Sequence, residues 1–270
     1  MTAQIILKLG GLCPNKTAVE AGFKIARRTG FDMHAIYLED QDLIKATRLA
    51  CTSEIRGSGS KRCLEIHELK RELRIGTRSF KKDILRRSRQ ANLNVEFEFI
   101  EDNELEQFGT KCNGAELIVL GEQGSPRLLW QEVLRLLEIV PNKKVLVAGR
   151  HAKNSDGPIT VLVSSLAEWS CVSSMFMEVV ANNQETPVIF AVGETMEKAD
   201  ALISDIQATL DAEGIEFQPT LENNRARVTR QIAQLYAGPL LICANGPFAM
   251  QKRDIETLIN VATCPLLISA

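Results

Sequence analysis

Five short apolar runs, each bounded by Gly, Pro or Asn, occur twice in the same order along this 270-residue chain. In the first half they are Gln4–Leu9, His34–Leu38, Val95–Phe97, Glu116–Leu120 and Lys144–Val147. In the second they are Ile159–Val163, Val188–Ala191, Ile215–Phe217, Leu240–Cys243 and Pro265–Ile268. Runs of this kind read as buried strands. The first two pairs are offset by about 153–154 residues and the last three by about 120–123. Both halves thus follow one plan, and the first carries roughly 30 extra residues between Asp40 and Val95. An internal duplication of this length limits the chain to folds that can be built from one unit twice.

Segments of helical periodicity separate the strands. Ala18, Ala21, Ile25 and Ala26 share one face, as do Trp130, Val133, Leu134 and Leu137 ahead of Pro141. Met196, Ala199, Leu202, Ile203, Ile206 and Leu210 keep three- and four-residue spacing, and Gly214 is placed to cap their helix. Ile255, Leu258, Ile259 and Ala262 form a last such stripe. Strands alternating with helices pair in parallel through right-handed crossovers, so each half is expected to be a doubly wound, mostly parallel five-stranded sheet of Rossmann-like α/β class. The polar stretch Arg150–Gly157 divides the copies, predicting domains at 1–150 and 157–270, the first with a helical insertion over about 51–90.

The stretch Glu116-Leu117-Ile118-Val119-Leu120-Gly121-Glu122-Gln123-Gly124, in its setting of strand, helix, strand and closing Val-Leu-Val, resembles the universal stress protein family. The resemblance covers nearly all of 1–150 and, more weakly, 157–270. It implies strand order 3-2-1-4-5, two domains in tandem paired as an intramolecular pseudo-dimer or assembling as a homo-oligomer, a role in stress response, and a site for ATP or AMP.

In open α/β sheets a ligand sits beyond the carboxyl ends of the strands, where the strand order reverses. That places Gly10, Gly11, Gly121, Gly124, Ser125 and Arg127 as candidate nucleotide-binding residues. Glycine lets backbone N–H groups approach phosphate, and a following helix adds its positive end. The family's Gly-x2-Gly-x9-Gly-(Ser/Thr) pattern is incomplete, since Leu134-Arg135 stand where its last members belong, and Gly10 lies near the place of its first-strand aspartate. Pro126 also removes a backbone donor. Two readings stay open for the first half, an ATP or AMP sensor and simple strand-to-helix turns. In the second half Ser164-Ser165 and Asn245-Gly246-Pro247 keep almost nothing of a cradle.

Charge is segregated. Between Arg56 and Arg89 twelve Lys or Arg face four acids, although the chain as a whole carries −2. A flexible Arg56–Ser60 lead-in is expected, then a helix from near Lys61 with Ile66, Leu69, Leu73, Phe80 and Ile84 as its apolar stripe, continuous or broken into a hairpin at Gly76. Three roles compete for the basic face of Lys61–Arg89: packing on the chain's own acidic surface, docking an acidic protein partner or second subunit, and binding nucleic acid or membrane. Nucleic acid is the least expected, because the segment brings no aromatic platform of its own.

Catalytic constellations are not visible. His34, His67 and His151 lack metal-ligand spacing, and no Gly-x-Ser-x-Gly elbow occurs. Cys13, ahead of a helix, is the one thiol whose position would favour a thiolate. Seven scattered cysteines without a Cys-x-x-Cys pair suit a reducing cytoplasm, and no run is long and apolar enough to span a bilayer. The chain is therefore expected to be a non-catalytic cytoplasmic regulatory protein of the stress-response type, acting through protein contacts.

Overall fold

A computed structural model describes residues 4–10, 15–39, 44–45, 53–55, 59, 61–63, 66–100, 105–122, 125–152, 157–181, 185–224, 227–228, 231, 238–244 and 252–269. The first half runs β1 (Gln4–Gly10), α1 (Lys16–Thr29), β2 (Asp32–Leu38), β3 (Ser53–Ile55), β4 (Lys61–Cys63), α2 (Ile66–Ala91), β5 (Val95–Ile100), α3 (Leu105–Cys112), β6 (Leu117–Gly121), α4 (Pro126–Ile139) and β7 (Lys144–Ala148). The second runs β8 (Thr160–Val163), α5 (Leu166–Val180), β9 (Val188–Val192), α6 (Met196–Ala212), β10 (Gln218–Glu222), β11 (Leu240–Cys243), α7 (Lys252–Val261) and β12 (Leu266–Ser269).

The strand order is β10-β9-β8-β11-β12-β7-β6-β1-β2-β5. Numbered within each half this is 3-2-1-4-5 followed by its reverse, as the resemblance implies. All pairings inside a half are parallel, whereas β12 meets β7 antiparallel, from Leu266 opposite Val147 to Ser269 opposite Lys144. The two separate sheets expected from the repeat are thus one continuous ten-stranded sheet, its halves joined antiparallel at the β7–β12 seam. The physical reason lies in the edge strands. β7 and β12 are almost wholly buried and apolar. Left unpaired, each would expose a row of peptide groups and an apolar strand to water.

Both layers of helices cross the seam. On one face α1 rests against α5, and on the other α4 rests against α7. The apolar core on each face accordingly draws residues from both halves, Ile5 and Val119 with Val161 and Leu241 on one side, Ile118 and Val147 with Leu258 and Ile268 on the other.

Local differences from expectation have local causes. The third strand of the second half is Gln218–Glu222, not Ile215–Phe217. As an edge strand it needs few apolar residues, and Ile215 and Phe217 instead pack on the core just ahead of it. The insertion carries an antiparallel β3–β4 pair, Ser53 opposite Cys63, so that a strand stands at Lys61 where a helix start was expected, while the expected lead-in Arg56–Ser60 lies, apart from Gly59, outside the described residues. Its helix starts at Ile66 and continues unbroken through Gly76 for 26 residues. Leu69, Leu73, Thr77, Ile84 and Ser88 form its buried stripe. The first two pack on Ile44, while Ile84 joins the main core with Phe80 against it. Gly214, at φ +69°, takes the left-handed conformation that ends α6 as expected.

Candidate functional site

The mouth of the first half-sheet is built from the ends of β1 and β6. Gly10 ends β1 opposite Leu38 of β2, and Gly121 ends β6 opposite Ala148 of β7, both buried. Asn15 governs what stands over them. Its side-chain oxygen caps α1, accepting from the N–H of Thr17 at 2.9 Å and of Ala18 at 3.2 Å. Its amide nitrogen donates to the Glu122 carbonyl at 3.1 Å, and the Thr17 hydroxyl donates to the Gly149 carbonyl at 3.3 Å. The start of α1 is therefore drawn down onto Gly121, where an added methyl would lie 2.7 Å from the Cβ atoms of both Asn15 and Ala18. Glycine at 121 is explained by this close packing alone.

A carboxylate occupies the next position. The Glu122 side chain is only 4% exposed, accepts from the Arg150 backbone N–H at 3.0 Å and pairs with the Arg150 guanidinium at 3.1 Å. A buried anion at the strand end repels a phosphate, and its compensating guanidinium is already engaged. Ser125 caps α4 by accepting from the Leu128 N–H at 3.3 Å, with Pro126 in the first turn and Arg127 exposed beside it. Gly11, Gly124 and Cys13 lie outside the described residues.

The second half closes its mouth with its own anion. Ser165 caps α5, and Glu168, three residues on and 5% exposed, accepts from the Ser164 N–H at 2.5 Å and the Ser164 hydroxyl at 2.6 Å. This is a Ser-x-x-Glu capping arrangement whose acid reaches one residue further back than usual. It places a carboxylate on the N–H and hydroxyl of Ser164 at the strand end. The Ser165-x-x-Glu168 spacing is readable in the sequence, as is Asn15 ahead of α1, but the convergence of Glu122 on Arg150 is not, because it spans two strand ends.

Chemistry elsewhere is quiet. Cys112 and Cys264 are buried, and desolvation pushes their thiols up to about 12 and about 11, so both stay protonated. Among the described residues no group of three or more His, Cys, Asp or Glu is placed to hold a metal. His34 lies in β2, 3.2 Å from the Glu98 carboxylate of β5. No described helix is long and apolar enough to cross a membrane.

Positive charge gathers on α2, with nine Lys or Arg against three acids from Ile66 to Ala91. Near its C-terminus Arg87 pairs with Glu20 of α1 at 3.4 Å, and Arg86 and Arg87 share Asp83. Self-packing thus engages Arg86 and Arg87 at that end of the helix. Further toward the N-terminus, Arg71, Arg74 and Arg78 are exposed and have no ion-pair partner among the described residues.

No family model matches the sequence, and no curated protein matches it. Solved structures do. A universal stress protein from Archaeoglobus fulgidus DSM 4304 superposes with TM-score 0.67 at 12% identity, over 98% of this chain and 97% of that one. A universal stress protein assigned as putative, from Pseudomonas aeruginosa UCBPP-PA14, gives 0.60 at 13%, over 99% and 93%. The cytoplasmic domain of a prokaryotic cation chloride cotransporter gives 0.55 at 10%, over 100% and 95%. At such identities the likeness is one of fold, and it runs the length of the molecule.

Proposed function

Starting from a chain that has the fold of the universal stress proteins along its whole length, we propose a non-catalytic regulatory protein that works by contact, presenting α2 to an anionic partner. The observation that carries this reading is where charge is satisfied and where it is not. At the two strand-end mouths the carboxylates of Glu122 and Glu168 hold the donors of Arg150 and of Ser164. On α2 Arg71, Arg74 and Arg78 are exposed and have no carboxylate partner among the described residues. A strongly acidic protein surface is one partner that suits such a helix, and the cytoplasm is its setting. In this reading residues 1–150 and 157–270 are two domains paired as an intramolecular pseudo-dimer, the seam replacing a second subunit's contact.

The test is binding of polyglutamate, a generic acidic polypeptide, as salt is raised. Affinity should fall with salt and be lost on reversing Arg71, Arg74 and Arg78 to Glu. Retained binding by the reversed protein refutes α2 as the docking surface.

A second reading keeps an adenine-nucleotide site in the first half, supported by the amino end of α4 opening beside Gly121 with Ser125 and Arg127 next to it. ATP at a hundredfold excess over Kd should then stabilise the protein by about 2.7 kcal/mol. An unmoved melting temperature at millimolar ATP and AMP rules that sensor out.

A further inference from the structure

The face of α2 turned toward the sheet edge overhangs the outermost strand of the first half. There Arg74, Thr77, Arg78 and Lys81 of α2, with Phe97 and Phe99 of β5, enclose a cleft of about 340 Å³. A second cleft of about 320 Å³, lined by His67, Lys70, Arg71, Arg74, Ile75 and Arg78, continues it along the helix. The two share Arg74 and Arg78, so they form one track rather than two pits. From Arg71 to Lys81 it runs about 15 Å at the helical rise per residue.

The floor of the first cleft is aromatic. Phe99 stacks on Tyr37 with ring centroids 5.7 Å apart and planes 16° from parallel. Tyr37 is 2% exposed, whereas Phe99 is 36% exposed, a large open fraction for an aromatic side chain. Phe99 is thus a flat platform held from behind and open in front. Beside it the Lys81 ammonium stands 5.5 Å from the centre of the Phe97 ring. The register explains the grouping, since Ala35 faces Phe97 and Tyr37 faces Phe99 across the β2–β5 pair, putting the aromatic side chains on the face that α2 covers.

We propose that this track binds single-stranded nucleic acid, its phosphates on Arg74, Arg78 and Lys81 and a base stacked on Phe99. The inference rests on the reading of α2 as a docking surface and names the partner. An acidic polypeptide would need the cations alone. A backed, open aromatic ring beside guanidinium groups with no ion-pair partner among the described residues suits a ligand that alternates flat rings with phosphates. The elongated form suits a polymer better than a single small anion. No aromatic platform is readable within α2 itself because the platform comes from the neighbouring strand.

Fluorescence anisotropy of a dye-labelled single-stranded RNA of about sixteen nucleotides, the upper end of common site sizes, tests this on the full chain. The DNA strand of the same sequence serves as a parallel arm, and polyglutamate as a control. Three phosphate contacts predict that log K falls with log salt at a slope of about −2. Phe99→Ala should weaken binding roughly 5- to 150-fold while leaving that slope unchanged. Phe99→Trp should restore it. The pair Arg74→Ala and Arg78→Ala should flatten the slope by about 1.4. All these sites are exposed, and circular dichroism melts confirm that the variants fold. Polyglutamate binding without RNA or DNA binding overturns the nucleic-acid inference and leaves the docking surface standing. Binding of none of the three overturns both. RNA binding indifferent to Phe99 and to the two arginines places the site elsewhere and overturns the inference.

Discussion

Gly149 reports directly on how the two halves are seated. It follows β7, and an added methyl would lie 2.3 Å from the carbonyl oxygen of Ile259 in α7 and 3.4 Å from its carbonyl carbon. The first distance is more than about 1 Å inside ordinary contact. The obstacle is helical backbone from the other half of the chain, so no rotamer change can relieve it. Gly149→Ala must push α7 away from the sheet end, at the cost of about 1–3 kcal/mol typical of overpacking. An unfolding entropy of about 2.1 cal/mol/K per residue over 270 residues converts this to a fall in Tm of about 2–5 °C. The same substitution at Gly76 supplies the control. Gly76 lies mid-helix and exposed in α2, with nothing within 4 Å of the added methyl. Gly76→Ala should therefore stabilise by about 0.5–1 kcal/mol and raise Tm by about 1–2 °C. Differential scanning calorimetry reads both variants. If Gly149→Ala melts like the parent while Gly76→Ala rises, α7 does not approach β7 and the account of a shared seam fails.

Calorimetry of the parent should also show a single transition, because both apolar cores cross the seam; two resolved transitions would mean halves that unfold independently. Glu168→Ala strands the Ser164 N–H and hydroxyl and should lower stability by about 1–3 kcal/mol, read by urea midpoint; an unchanged midpoint denies Glu168 its role in closing the second mouth. Cys112 and Cys264 should resist a thiol reagent in the native protein and react on unfolding. Their raised pKa values carry a sign: the folded state holds thiol protons that the unfolded state releases above the usual value of 9.0, so this stability is complete below about pH 9 and is lost as pH climbs toward about 12 for Cys112 and about 11 for Cys264. Rapid native labelling of either thiol would contradict the burial.

Much of the architecture was legible because it is written in short-range patterns. Nine of the ten apolar runs became strands close to where they were read, since strands covered on both faces need continuous apolar sequence. The exception, β10, shows the limit of that rule, as an edge strand can be made from Gln218-Pro219-Thr220-Leu221-Glu222 once its neighbour supplies the ladder. The stripe of α2 was likewise visible, but not its continuity through Gly76, which exposed glycine permits at a cost of about 1 kcal/mol. At the candidate mouth, Gly121 was read either as a glycine that lets backbone approach a phosphate or as part of a strand-to-helix turn. Periodicity could not say whether the neighbour forcing glycine there was a phosphate or the Cβ atoms of Asn15 and Ala18.

From the order of residues alone came the duplication, the parallel α/β plan, the insertion and its excess of positive charge. Each depends on the period of apolar residues or on simple counting, and both survive without knowledge of distant neighbours. Only the tertiary structure decided that the halves merge through β7 and β12, that Glu122 and Glu168 turn inward upon their own backbone donors, and that Phe99 comes to lie under Arg74 and Arg78. These are meetings between residues far apart in the chain. They are set by which buried edges and charges must find partners once water has been excluded, and no local pattern records that outcome.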